Sequence, residues 1–394
     1  MDDKWKNGCT VFLAIRARED VCPRLTIAPV AFIPERFLRD SFVGFRDQLQ
    51  MPIVVRLADL SADRDLLLDG LKNWLSPQAD ERRFDWLYLS NPFGRARTWL
   101  AVDSVSGGLV GALSAFPRRF FRDGRQVQGC VWGDFFVDPK FRSLGPALQL
   151  QKVALSATDG KPWELTYDFP SQTMTALYSR LGIEVHSQLV RFAKPLRMDR
   201  LLTSRVLPTW LTNGIAVIGN AVLRATARRF YRTPGTTITV QEDPCSEEFT
   251  ELALGVLRPI GIDVERSAEY LNWRYRNHPY TRHRLYTLRD GTRLAAYAIL
   301  VQNESDAAVM DLVGSDETSL QQLLLTIERD LRRLGTMVLS VSVSQGHPFE
   351  QLLRSLGFRE RESHPIICYT PQGSNGREVS ALANWYFMDG DRES

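Results

Sequence analysis

The chain has 394 residues, too many for one ordinary core, with 44% hydrophobic and 24% charged residues, a composition that excludes a disordered or fibrous protein. Its 49 basic and 46 acidic residues leave a formal net charge of +3, which gives DNA binding no support. The five cysteines (Cys9, Cys22, Cys130, Cys245, Cys368) have neither Cys-x-x-Cys spacing nor a histidine in ligand register, which argues against a metal site or a disulfide scaffold and for a reducing, cytoplasmic setting.

Residues 1–50 read as an N-terminal extension; Val11 to Ile15 is cut short by Arg16 and Arg18, so no signal peptide is expected. No apolar run reaches the roughly 18 residues that a spanning helix needs. Ile53 to Leu57 is an extended run, and Ala62 to Leu75 carries helical spacing. Thr98 to Val102 and Leu109 to Phe116 flank the turn residues Ser104 to Gly108 as a hairpin, and Gln126 to Val137 is the next strand. That strand stops at Asp138-Pro139 and re-emerges through Arg142-Ser143-Leu144-Gly145-Pro146-Ala147 into a helix over Pro146 to Ser156. A helix N-terminus exposes unpaired N–H groups and the positive end of its dipole, which suits a pyrophosphate. Trp163 to Asp168 returns as a strand, and Ser171 opens a helix that stops near Gly182.

Sliding the chain on itself exposes a repeat. Trp86 to Pro92 and Trp273 to Pro279 both read Trp-x-Tyr-x-x-x-Pro. Leu177-Tyr178-Ser179-Arg180-Leu181-Gly182 answers to Leu352-Leu353-Arg354-Ser355-Leu356-Gly357, a step of 175 residues from Gly182 to Gly357, and the same step lays Phe135 on Met310. Three matches in one order predict a duplicated domain, with copies at 51–197 and 238–390. Between them lies a basic helical linker, 198–237, whose arginines include Arg224, Arg228 and Arg229. A bridging helix is the favoured reading of 199–233, and contact with a membrane surface the alternative.

Val137-Asp138-Pro139 followed by Arg142-x-x-Gly145-x-Ala147, and later Tyr178-Ser179-Arg180-Leu181-Gly182-Ile183, resembles the GCN5-related N-acetyltransferase family. Its motif A runs from a strand through Arg/Gln-x-x-Gly-x-Gly/Ala into a helix, and its later helix reads Tyr-x-x-x-Gly-Phe; Ile183 departs from that last position. The resemblance implies an α/β protein of two tandem domains, each a mostly antiparallel twisted sheet flanked by helices. It implies acetyl-CoA as co-substrate without a metal, and an amine acceptor, with an amino sugar or polysaccharide precursor favoured. It assigns coenzyme A contacts to Phe135, Val137, Arg142, Ser143, Leu144, Gly145 and Ala147, and the role of thiolate proton donor to Tyr178. Pro146 removes one N–H from the phosphate cradle.

An ammonium acceptor must lose a proton before it attacks a thioester. Asp134 and Asp168 are the candidate bases, with water or another residue left open; alternation turns Asp134 away from the face of Phe135 and Val137 unless a bulge intervenes. In the second copy Glu317, Leu320 and Leu353 stand where the first has Arg142, Gly145 and Tyr178, so that copy is expected to keep the fold without the site. His278, His347 and His364 each precede a proline and are expected at turns, and His186 is expected on an exposed strand. A homodimer is left open. The rival functions are a non-catalytic module that binds coenzyme A, and an aminoacyl transferase that draws on aminoacyl-tRNA.

Overall fold

A computed structural model describes residues 53–122, 124–142, 144–158, 163–197, 235–257, 261–370 and 385–393. Ser143, the extension at 1–50 and the basic segment 199–233 lie outside the described residues. Four strands open the sheet in antiparallel succession: β1 (Ile53–Leu57), β2 (Arg97–Asp103), β3 (Leu109–Arg122) and β4 (Arg125–Val137). The hairpin of β3 and β4 extends well past the predicted Phe116 and reverses at Gly124, whose φ of 74° suits a residue without a Cβ. A short strand, β5 (Leu165–Asp168), pairs in parallel with β4 over Gly129–Val131.

Helices cover both faces. The predicted helix at 62–75 divides into α1 (Arg64–Gly70) and a π-helical turn at Leu71–Leu75. Next comes α2 (Glu81–Phe84), capped by the Asp80 carboxylate, which accepts from the Arg83 N–H at 3.0 Å, and a second π-helical turn at Asp85–Leu89. The other face carries α3 (Leu144–Thr158) and α4 (Gln172–Arg180), the latter capped by Ser171. β6 (Ser187–Pro195) follows.

The remainder repeats that series. It runs through β7 (Thr236–Gln241), α5 (Glu247–Leu257), a short β8 (Ile262–Val264), α6 (Ala268–Leu271) with a π-helical turn at Asn272–Arg276, and β9 (His283–Asp290). Then come β10 (Arg293–Gln302), β11 (Asp306–Gly314), α7 (Glu317–Arg333), β12 (Val338–Ser344), α8 (Glu350–Ser355) and β13 (Arg359–Tyr369). A last pair of strand residues, β14 (Trp385–Tyr386), lies on β8. His278 and His347 accept turn N–H groups, from Thr281 at 3.0 Å and Phe349 at 3.1 Å, but His364 lies within β13. His186 is half-buried rather than exposed, and its Nδ1 accepts the Cys368 N–H at 3.2 Å.

Strand order is β1-β2-β3-β4-β5-β13-β6-β12-β11-β10-β9-β7, and it is palindromic: each strand of the first series sits opposite its counterpart in the second. The two parallel pairs along this path, β4 with β5 and β11 with β12, correspond, and so do the register shifts in β3/β4 and β10/β11. At the centre the last strands are exchanged. β13 lies beside β5, and β6 beside β12. One buried apolar cluster runs through both series from Leu67 to Met388, and a second lies under α3, around Trp99, Trp132 and Leu150.

The repeated Trp-x-Tyr motif forms the two later π-helical turns, and these meet. Trp86 Nε1 donates to the Trp273 carbonyl at 2.8 Å, and Trp273 Nε1 donates to the Trp86 carbonyl at 2.9 Å. Their rings stack with centroids 5.1 Å apart and planes 22° apart. Each turn satisfies the other's indole, so neither tryptophan can be buried alone without an unpaired N–H. Trp86→Ala is expected to cost about 3–5 kcal/mol and Trp86→Phe about 1–3 kcal/mol, measured by urea unfolding.

Candidate active site at the bulge of strand β4

Between Ala112 and Ser114 the β3/β4 register slips by one residue. The extra residue bends β4 at Asp134, whose φ of 46° makes it the one non-glycine with positive φ among the described residues; aspartate is among the few residues that tolerate it. Beyond the bulge, the Asp138 N–H donates to the Val110 carbonyl at 2.8 Å. The alternation of an antiparallel ladder therefore turns the Val137 N–H to the other side of the strand. There β5 has already parted from β4, because their pairing ends at Val131 and Tyr167. An opening is left between the two strand ends.

The predicted loop closes one side of this opening. Asp138 caps a short 3-10 turn, Pro139–Phe141, by accepting the Lys140 N–H at 2.9 Å. Arg142 and Gly145 are exposed, Pro146 is buried in the first turn of α3, and Ala147 is half-buried; α3 begins at Leu144. Phe135 and Val137 are half-buried against the cluster under α3. Backbone N–H groups at the head of a 15-residue helix beside an exposed arginine fit the phosphates of an acyl-CoA, and the outward Val137 N–H fits a carbonyl oxygen.

Two of the predicted side chains come together. The Tyr178 hydroxyl donates to Asp168 Oδ2 at 2.8 Å and accepts from Gln151 Nε2, on α3, at 3.2 Å. Burial pushes the Asp168 carboxyl up to about 7; the negative charge of Glu393 adds to this, and the Tyr178 hydrogen bond works against it. Burial, with Asp168 alongside, also holds the Tyr178 hydroxyl well above its ordinary value.

Asp134 has a different setting. Both of its oxygens are held by Arg83, Nη1 to Oδ2 and Nη2 to Oδ1, each at 2.7 Å, and the Tyr88 hydroxyl donates to Oδ2 at 2.7 Å. This fork is bidentate, and the Asp134 side chain is 2% exposed. It fixes the bulge to the π-helical turn of the repeated motif.

Sequence reasoning missed Arg83, Gln151 and Glu393. No spacing signal ties Arg83 to Asp134, 51 residues on, and none marks Glu393. The last described residues thread into the site. Arg274, buried in the second turn, donates to the carbonyls of Gly390, Arg392 and Glu393 at 3.2, 2.6 and 3.3 Å, and the Tyr167 hydroxyl donates to the Asp391 carbonyl at 2.5 Å. Glu393 is thereby laid over Gly133, where an added Cβ would collide with its side chain. Burial, together with the charge of Asp134, raises the Glu393 carboxyl above its usual range.

The residues that the sequence repeat aligns with this site are placed differently. The head of α7 is taken by the Asp316 carboxylate, which accepts the Ser319 N–H at 2.8 Å, and Leu353, the counterpart of Tyr178, is fully buried. Among the described residues no helix is long and apolar enough to cross a membrane, and no group of three His, Cys, Asp or Glu could hold a metal ion.

No family model and no curated protein matches the chain. Solved structures do. A conserved protein of Enterococcus faecalis, described as a probable N-acyltransferase, aligns with a TM-score of 0.61 at 13% identity over 81% of this chain and 72% of its own. A GCN5-related N-acetyltransferase from Anabaena variabilis aligns at 0.60 and 13% identity, over 81% and 73%. Saccharomyces cerevisiae N-myristoyltransferase with bound myristoyl-CoA aligns at 0.52 and 12% identity, over 85% and 83%. At these identities the likeness is one of fold: the chain has the fold of the GCN5-related N-acetyltransferases.

The Arg83–Asp134 fork carries a test of its own. Arg83→Met leaves a buried carboxylate without its partner and is expected to cost about 3–5 kcal/mol; Arg83→Met/Asp134→Asn together should recover part of that loss in urea unfolding.

Proposed function

We propose that the chain is an acyl-CoA-dependent N-acyltransferase of the GCN5-related type, working at the bulge of β4. In this reading residues 51–197 and 238–390 are two copies of one fold joined by 198–237, and the first copy is the catalytic one. The observation that carries the reading is the opening between β4 and β5, with an outward N–H at Val137, a helix head at Leu144 and the Tyr178–Asp168 pair. The palindromic strand order supports the duplication, and the acidic cap of α7 supports a single site.

An acyl thioester supplies an activated carbonyl and a thiolate leaving group with a pKa of about 8.5. Val137 presents its N–H to the carbonyl oxygen, with Phe135 and Val137 lining the acyl path. The head of α3, with Arg142, Leu144, Gly145 and Ala147, takes the pyrophosphate. Asp168, titrating near neutrality, accepts the proton of the incoming ammonium. Tyr178 holds Asp168 in place and is the proposed proton donor to the departing sulfur. Glu393 keeps Asp168 basic and adds negative charge for a cationic acceptor. Asp134 acts through Arg83, as the residue that positions the bulge.

Acetyl is the proposed acyl group and an amino sugar or polysaccharide precursor the proposed acceptor class. The assay is thiol release from acetyl-CoA and longer acyl-CoA donors across an amine panel that includes glucosamine. Turnover should rise with pH through about 7 as Asp168 ionises. Asp168→Asn should remove that limb and lower kcat by about 100-fold or more. Glu393→Gln removes a negative neighbour and should move the limb to lower pH, and Tyr178→Phe should lower kcat by about tenfold or more. Acetyl-CoA binding without thiol release for any donor and amine would replace this reading with that of a binding module.

A further inference from the structure

A second cavity lies away from the bulge, on the side of the sheet covered by α5. One stripe of that helix, Thr250, Ala253, Leu254 and Leu257, forms its roof at the i, i+3, i+4, i+7 spacing of a single helical face. Its floor is the end of β3 and the neighbouring β8, which pair Phe121 with Asp263. Alternation along β8 sends Ile262 and Val264 into the main apolar core and Asp263 and Glu265 toward the cavity, whose volume is about 220 Å³. The floor is eight residues along β3 from the bulge position opposite Leu113, about 26 Å at the rise of a strand.

Charges around the floor do not balance. Arg119 donates to Glu265 at 2.7 Å. Arg266 is spent on Asp311 and Asp391, at 2.8 Å each. Asp263 is the carboxyl left over: it is 1% exposed, lines the cavity, and its Oδ1 has no hydrogen-bond partner. A buried carboxylate oxygen without a donor is costly, and each such group calls for a partner. From α5 it meets one hydroxyl, Thr250, and otherwise alkyl groups.

We propose that this cavity is a binding site for a small aliphatic ammonium, its cationic head on Asp263 and its alkyl part under Ala253, Leu254 and Leu257. The head supplies the missing donors and the compensating charge, and the helical stripe supplies the apolar wall. Arg119 and Arg266, already engaged with acids, attract an anion less than they would if free, and the surplus of four carboxyls over two guanidinia in this cluster favours a cation.

Asp263 also sets a pH dependence. The groups facing it are Arg119 from β3, Glu265 and Arg266 from its own segment, and Asp391 and Tyr386 from the chain end; burial, reinforced by Asp391 and Glu265 and opposed by Arg266, pushes its carboxyl up to about 7. An alkylammonium stays charged to about pH 10, so the carboxylate alone decides the change between pH 6 and 8.

The test is calorimetric titration of the full chain with n-butylammonium chloride, and with n-butanol as the neutral match. Saturable butylammonium binding, about tenfold tighter at pH 8 than at pH 6 and at least tenfold tighter than butanol, is expected. Asp263→Asn should weaken it about tenfold and flatten the pH dependence, and Leu254→Trp, which fills the cavity and leaves the carboxyl in place, should abolish it. Thermal unfolding of both variants establishes that they are folded. Should either variant fail to fold, the wild-type pH series decides. No saturable binding at 10 mM butylammonium, binding that does not change between pH 6 and 8, or equal binding by a folded Leu254→Trp variant would overturn the assignment.

Discussion

Two tryptophans hold this molecule together at its centre. Trp86 and Trp273 each occupy a π-helical turn, and each turn leaves a carbonyl free for the indole of the other. The exchange is reciprocal, so it has the symmetry of the strand order around it. A buried indole N–H needs an acceptor, and here each tryptophan finds it on the other series. The palindromic sheet, with β6 and β13 exchanged between the two series, spreads the same dependence over whole strands. Its central pairs, β5 with β13 and β12 with β6, join residues more than a hundred positions apart.

What the second series contributes to the site follows from that exchange. Arg274 is the residue after Trp273, and its guanidinium grips the backbone that carries Glu393 toward the bulge. Arg83 lies three residues before Trp86 and holds Asp134. Both turns thus place an arginine beside the same opening, one on a side chain and one on a main chain. The electrostatic result is uneven. Asp134 is matched by a bidentate guanidinium, whereas burial raises the proton affinity of both Asp168 and Glu393, with the charge of Glu393 adding to it at Asp168 and that of Asp134 at Glu393.

Much of the local structure was legible in the residues. The strand that stops at Asp138-Pro139, the turn after it and the helix over 146–156 all follow from apolar periodicity and proline, and α3 adds two residues at each end. Alternation put Asp134 opposite Phe135 and Val137, and the two neighbours do lie on the cluster under α3 while Asp134 meets Tyr88 on the other side. The Trp-x-Tyr repeat was visible as a repeat but not as two short helices with π-helical turns, because four helical residues are too few to show a period. The single helix expected at 62–75 breaks for a related reason: apolar spacing tolerates the change from α to π winding at Leu71. His364 was misread because a His-Pro step suits a turn and an irregular strand alike, and β13 slips in register beside it.

By itself the sequence determined most strands and helices between 53 and 182 and displayed the Trp-x-Tyr repeat, since these depend on contacts within a few residues. Tertiary structure alone decided that Tyr178 meets Asp168, that Arg83 neutralises Asp134, that Glu393 arrives at the same opening and that Asp263 is left without a partner. Each of those facts turns on which charges and dipoles the fold brings together or leaves apart, and burial sets its strength. Periodicity carries no record of such distances.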